Sequence, residues 1–159
     1  MKLYPNLQGA KPATFADVQN GQAAYCLDHD AFFIVGVKDP LRPLISIGPH
    51  LQGDTAPTVW GGDFPEDLAF VAYDHLKIAA PDGAHWTRRD QVTYGDLVLL
   101  QNGPALVFRP IRTPGAGKAA VDLATGQITT GDFTAKPSIR GYRLLWQFGE
   151  QLTEVFSAP

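Results

Sequence analysis

The residues of this chain that could do acid, base or metal chemistry are thirteen Asp, three Glu, four His and one Cys. The densest group is Asp28-His29-Asp30, which separates two apolar segments. In an extended chain Asp28 and Asp30 point to one side, where two carboxylates could bind a hard cation. A hairpin turn whose Asp side chains hydrogen-bond their own backbone explains the same residues without a metal. No neighbouring ligand spacing supports a metal, so we favour the turn and keep a metal site at Asp28, His29 and Asp30 as the alternative.

The other polar residues do not form a local catalytic motif. No two His are spaced as a zinc-binding pair, and no Ser lies in a Gly-x-Ser-x-Gly turn. Cys26 lies in an apolar segment, where a free Cys usually acts as a small hydrophobic residue. A small metal-dependent or acid–base hydrolase would therefore need side chains from several loops. The candidates for it are Asp28, His29, Asp30, His50, Asp54, Asp63, His75 and His85.

Two segments combine aromatic and polar residues in a way that is typical of binding surfaces. In the first, two aromatic residues flank a Gly-Gly pair and a carboxylate; the second is a loop that continues into Arg88-Arg89-Asp90. Trp anchors often dominate protein interfaces, but such rings also serve as loop anchors in a core. We predict a ligand or partner surface from these residues: Trp60, Gly61, Gly62, Asp63, Phe64, His85 and Trp86. If Trp60 and Trp86 are both exposed in one groove, a carbohydrate-binding module is the alternative.

Cofactor and nucleic-acid signatures are weak. Gly115-Ala116-Gly117-Lys118 resembles part of a phosphate loop, but it lacks the required spacing and the following Ser or Thr. We predict no cofactor. The formal net charge is -3, which disfavours nucleic acid as the main partner because phosphate binding needs a basic surface. Arg88-Arg89 and the pair Arg140 and Arg143 are too sparse to reverse that expectation.

Composition bounds the class of protein. A length of 159 residues favours a single domain with a proper core. One Cys excludes an intramolecular disulfide, and we find neither a signal peptide nor an apolar run of about 20 residues that could span a membrane. We therefore expect a cytoplasmic protein that does not engage a membrane.

Turn residues indicate how the chain is organised. Sixteen Gly and thirteen Pro punctuate short apolar segments, which favours a mainly β fold. Hairpins are predicted around 28–30, Asn102-Gly103 and 124–126, and a long loop over 48–65. One helical turn from Phe64 should lead into a strand through Ala80. The C-terminal segment fits a helix or a hairpin, and the mid-segment Gly149 favours strands.

These observations predict a compact antiparallel barrel or sandwich with long loops and at most one or two short helices. Residues 1–159 should form one β-rich domain in which 1–14 are an ordered, irregular N-terminal arm. Edge strands of such a fold must be covered, and self-association is one way to cover them. The leading hypothesis is a non-enzymatic structural or accessory domain that binds a protein partner or forms a homo-oligomer.

Overall fold

A computed structural model of the protein describes residues 11–48, 57–60, 65–72, 76–110, 117–148 and 150–158. Within these ranges the chain forms antiparallel sheets and no helix, which confirms the mainly β fold. The strands, in chain order, are β1 (Lys11–Thr14), β2 (Ala23–Cys26), β3 (Ala31–Val35), β4 (Leu44–Gly48), β5 (Thr58–Trp60), β6 (Ala69–Ala72), β7 (Lys77–Ala79), β8 (Thr87–Arg88), β9 (Leu97–Leu100), β10 (Gly103–Phe108), β11 (Lys118–Asp122), β12 (Ile128–Gly131), β13 (Pro137–Ile139), β14 (Arg143–Phe148) and β15 (Gln151–Ser157).

The described strands make three sheets. The first has six strands in the order β1-β6-β2-β3-β4-β5, and the second has six in the order β12-β11-β10-β9-β13-β8. The third has three strands in the order β15-β14-β7. Each sheet is open, so the described residues form layered sheets rather than a closed barrel. None of the described segments is a helix of the length and apolar character needed to cross a membrane.

One hydrophobic core joins the three sheets. Phe32 and Ile34 of β3, Leu106 and Phe108 of β10, and Leu144 of β14 all lie buried in it. Adjacent residues of a strand face opposite sides, so Phe33 and Val35 of β3 enter a second apolar cluster behind the first sheet. Val98 and Val107 likewise enter a third cluster behind the second sheet. Strand β3 is therefore a central strand with two apolar faces.

The two larger sheets also touch along their backbones. Val37 pairs with Gln127 in a parallel bridge, and Thr58 pairs with Arg109 in another. At the first contact, the Val37 N–H donates to the Gly126 carbonyl at 2.7 Å. The turn that contains Gly126 is thus a joint between the sheets.

Three predicted hairpins are present. The turn at 27–30 joins β2 to β3, and the turn at 123–126 joins β11 to β12. The hairpin predicted at Asn102-Gly103 turns one residue earlier, at Gln101-Asn102, and Gly103 begins β10. The C-terminal strands β14 and β15 also pair, so strands are confirmed over a helix there.

Three local predictions need correction. The irregular arm predicted over 1–14 gives way to a strand at Lys11, because Lys11–Thr14 pair with β6; residues 1–10 lie outside the described ranges. The predicted loop over 48–65 contains β5. The strand predicted through Ala80 is two strands, β6 and β7, which join different sheets. Residues 65–68 before β6 form a turn in which the Leu68 N–H donates to the Pro65 carbonyl, and the predicted helix start at Phe64 lies outside the described residues.

Candidate functional site

The Asp28-His29-Asp30 segment forms the turn of a hairpin, and the side chains of Asp30 and His29 have contacts within the fold. The Tyr25 hydroxyl donates to Asp30 Oδ1, and Asp30 adopts a left-handed φ of 49°. An Asp tolerates that conformation better than most residues. The His29 ring lies 5.0 Å from the Trp60 ring and 6.2 Å from the Phe33 ring, centroid to centroid. Local bonding and ring contacts therefore account for Asp30 and His29.

Trp60 connects this turn to the edge strand β5. Its ring meets Phe33 edge-on at 5.8 Å, and it packs half-buried against the apolar cluster behind the first sheet. This packing supports the interpretation that the Trp60 ring anchors its loop against the core. The rest of the first predicted surface, Gly61, Gly62, Asp63 and Phe64, lies outside the described residues.

No metal centre is evident in the part of the chain that the structure describes. There, no three His, Cys, Asp or Glu side chains come together in a group that could hold an ion. His50, Asp54, Asp63 and His75, which the hydrolase hypothesis requires, lie outside the described residues. Of its remaining candidates, His85 is exposed in a different part of the fold from the turn at 28–30.

Cys26 and Tyr142 are the buried groups whose titration the fold perturbs most visibly. Burial raises the pKa of the Cys26 thiol, although backbone N–H groups of His29 and Asp28 partly oppose that effect. Burial also raises the pKa of Tyr142, and its hydroxyl has no hydrogen-bond partner among the described residues. Both side chains belong to apolar clusters, so they act as packing residues.

The second predicted surface leads to a cluster of arginines. His85 and Trp86 are exposed, Trp86 by 37%, and they immediately precede the edge strand β8. Pairing of β8 with β13 sets Arg88 opposite Pro137, and Arg140 follows the end of β13. Here the surface forms an open cleft of about 540 Å³. We name it the arginine cleft after its lining: Arg88, Arg89, Asp90, Gln91 and Arg140.

Positive charge predominates in the arginine cleft. Three guanidinium groups line it with a single carboxylate, that of Asp90. Among the described residues, neither Arg88 nor Arg89 has a carboxylate within ion-pair distance, and the buried Nε of Arg89 has no hydrogen-bond partner. Arg140 alone is paired, since its Nε lies 3.7 Å from Asp96 Oδ1.

Asp96 contacts both Arg140 of the arginine cleft and the backbone of Thr93. It is 3% exposed, and its Oδ2 accepts the Thr93 N–H at 2.9 Å. The Asp96 N–H in turn donates to the Thr93 carbonyl at 3.1 Å. One buried carboxylate therefore closes a turn and faces Arg140.

A second cleft in the same sheet extends from the edge strand β12 to Phe133, Thr134 and Lys136, which precede β13. Its volume is about 470 Å³. We name it the threonine cleft after its lining, which is rich in hydroxyl, amide and carboxylate groups: Leu100, Gln101, Asn102, Asp122, Gln127, Thr129, Thr130, Gly131, Asp132, Phe133, Thr134 and Lys136. Neither Trp60 nor Trp86 lines either cleft, and the two rings belong to edge regions of different sheets.

The sequence drew attention to His85 and Trp86 but not to the arginines beside them. Arg88-Arg89 is a pair in that loop, but two adjacent arginines in a chain of net charge -3 do not by themselves predict a basic site. Arg140 is distant in sequence and joins the pair only through the β8–β13 pairing. The sequence feature that points to the arginine cleft is the pair Arg88-Arg89, close to His85 and Trp86.

No family model, curated protein sequence or solved structure matches this chain. What the clefts can bind therefore follows from their own residues.

Proposed function

We propose that this protein is a non-enzymatic binding domain that holds an anionic group of a partner in the arginine cleft. The observation that carries the proposal is the convergence of Arg88, Arg89 and Arg140 on one open cleft, where Arg88 and Arg89 have no carboxylate partner among the described residues. This proposal adds a location and a ligand chemistry to the leading sequence hypothesis of a partner-binding domain.

The guanidinium group suits this role. Its planar fork of N–H donors matches a carboxylate or phosphate group with two parallel hydrogen bonds. A buried donor without a partner costs about 1–3 kcal/mol, and Arg89 Nε is such a donor among the described residues.

The charge of the whole chain narrows the class of anion. At a formal net charge of -3, the molecule has no long-range attraction for a polyanion. Recognition at the cleft therefore depends on close contact with a few charges. That favours an acidic protein segment over a nucleic acid, whose binding depends on many phosphate contacts.

Inorganic phosphate is the simplest probe of the arginine cleft. We expect NMR titration to shift the Nε–H signals of Arg89 and Arg140, with binding that weakens as salt increases. The variants Arg89→Gln and Arg140→Gln should each weaken binding about tenfold, which corresponds to 1.4 kcal/mol.

The matched control is Lys77→Gln, which removes one positive charge from exposed β7 in another sheet. Its binding should equal that of the parent protein. Equal weakening by Lys77→Gln and Arg89→Gln would mean nonspecific attraction, and a protein that shows no Nε–H shifts would contradict the proposal.

Self-association is a second candidate function, and β15 is the observation that favours it. This seven-residue strand pairs only with β14 among the described residues. It also exposes 57% of Leu152. Long edge strands with apolar side chains are templates for pairing with another chain.

Light scattering tests this second candidate. If β15 pairs between copies, Leu152→Lys should lower the solution mass towards that of one chain. The control Leu41→Lys changes a side chain that is also 57% exposed but lies outside the sheet edges. A parent protein that is already monomeric at high concentration would remove this candidate and leave the arginine cleft unaffected.

A further inference from the structure

The strand beside the arginine cleft has a free edge. Strand β8 consists of Thr87–Arg88, it ends its sheet, and it pairs only with β13 among the described residues. Thr87 and Arg88 are both exposed. An edge of this kind presents main-chain groups that another strand can use.

The direction of the main-chain groups can be followed residue by residue. The Thr87 carbonyl accepts the Ser138 hydroxyl at 3.4 Å, and the Arg89 carbonyl accepts the Ala135 N–H at 3.1 Å. Both carbonyls therefore face the β13 side. Because successive residues of a strand direct their main-chain groups to opposite edges, the N–H and C=O of Arg88 face the open edge.

The residue opposite Arg88 fits this arrangement. Pro137 lies across from Arg88 in the β8–β13 register. Proline has no N–H and cannot donate to a neighbouring strand. At this position the missing N–H costs no bond to β8, because the Arg88 carbonyl faces the open edge, where an incoming strand can use it.

The side chains of the cleft then determine what that strand should carry. Arg88 lines the arginine cleft together with Arg89 and Arg140, so a strand that pairs with Arg88 lies beside this cleft. Every second side chain of such a strand points to the same face, about 7 Å apart along the chain. Carboxylates at alternate positions would therefore approach the cleft together.

We propose that the partner bound by the arginine cleft is an extended acidic peptide segment that adds to the edge of β8. Its main chain pairs with Arg88, and its alternate carboxylates bind the guanidinium groups. This inference rests on the proposed function, since it names the partner class for the same site.

The test uses the full chain and four synthetic seven-residue peptides with blocked ends. The first has the sequence TEVEVET, the second TQVQVQT, and the third TEEEVVT, which clusters the same charges. The fourth is TEVEVET with N-methyl groups on the central amides, which keeps the charges but removes main-chain donors. Fluorescence anisotropy at one fixed salt concentration measures each affinity.

We expect TEVEVET to bind at least tenfold more tightly than each of the other three peptides. Amide hydrogen exchange should show slowed exchange of the Arg88 N–H with TEVEVET and no slowing with inorganic phosphate. This second readout separates strand pairing from charge attraction.

Different failures have different meanings. If the N-methylated peptide binds as tightly as TEVEVET and phosphate displaces both, strand addition is wrong and the anion site stands. If neither peptide nor phosphate binds, the proposed function is wrong as well. Tighter binding of single-stranded DNA than of TEVEVET at the same salt concentration would overturn the peptide as the partner class.

Discussion

The threonine cleft and the arginine cleft are both formed by the second sheet and its loops, and they differ in whether their polar groups already hydrogen-bond within the fold. In the threonine cleft, Asp122 Oδ1 accepts the backbone N–H groups of Ala124 and Thr125 at 2.9 and 2.8 Å. Asp132 Oδ1 accepts the Thr134 N–H at 3.1 Å. Its carboxylates therefore hold turns of the chain itself.

The arginine cleft has the opposite character. Among the described residues Arg88 and Arg89 form no ion pair, and of the three arginines only Arg140 forms one, with Asp96. Polar residues whose hydrogen bonds are used within the fold contribute stability, while residues without such bonds are available to a ligand. Substitutions in the first cleft should thus reduce stability, and substitutions in the second should reduce binding.

The largest loss of stability is expected from Gly126→Ala in the turn that borders the threonine cleft. Gly126 has a φ of +77°, and an added Cβ would lie 2.6 Å from the Gly21 nitrogen and 2.8 Å from the Val35 carbonyl oxygen. Backbone cannot move aside easily at this joint between sheets. We expect a loss of about 3–4 kcal/mol in the free energy of unfolding, measured by urea denaturation.

The matched control is Gly83→Ala, because Gly83 also has a left-handed φ, of +69°, but open space around it. Its loss should be only about 1–2 kcal/mol. Equal losses in the free energy of unfolding for the two variants would show that the close backbone contacts around Gly126 add nothing to the cost of its left-handed φ.

Asp122→Ala should produce the next largest loss. Asp122 is buried, and its removal leaves the N–H groups of Ala124 and Thr125 without their acceptor. We expect the free energy of unfolding to fall by about 2–3 kcal/mol. Asp90→Ala, which removes the exposed carboxylate of the arginine cleft, should change it by less than about 0.5 kcal/mol. The comparison between the clefts fails if both variants are equally destabilised.

Asp96→Ala tests the carboxylate that serves both a turn and the arginine cleft. The same turn occurs twice, since Asp17 Oδ2 accepts the Thr14 N–H at 3.3 Å and Asp96 Oδ2 accepts the Thr93 N–H at 2.9 Å. Asp17 is exposed and Asp96 is buried. We expect about 2 kcal/mol for Asp96→Ala and about 0.5–1 kcal/mol for Asp17→Ala in thermal or urea unfolding. Similar values for the two would mean that burial does not strengthen this turn.

These paired turns show how much of the fold was visible in the sequence. Phe15-Ala16-Asp17-Val18 and Tyr94-Gly95-Asp96-Leu97 share an aromatic residue two positions before the Asp, and both Asp side chains accept the N–H of a Thr three residues earlier. Strands and hairpins follow from local residue types, so they were predictable. Sheet membership was not, because β6 and β7 are close in sequence yet pair with strands far apart in the chain.

Only the part of the candidate site that is local in sequence could be predicted, because strand pairing between distant segments could not. Its aromatic border, His85 and Trp86, is local in sequence. The cleft itself depends on the pairing of β8 with β13, which brings Arg140 to Arg88. A composition count could not find it, since the chain as a whole has a net negative charge.

The smallest expected effect is a titration in the threonine cleft. The Thr134 N–H that donates to Asp132 favours the charged carboxylate and holds its pKa below the usual value, despite some opposing desolvation. Stability from this bond is therefore present above the unfolded-state pKa and is lost as pH falls through the lower, folded-state pKa. Carbon-13 NMR of the Asp carboxyl groups from pH 7 to pH 2 should show Asp132 among the last to protonate. The Asp132→Asn variant identifies the Asp132 signal. If the pKa of Asp132 is at or above the ordinary Asp value, the Thr134 N–H does not stabilise the charged carboxylate, and the contrast with the arginine cleft fails at this residue.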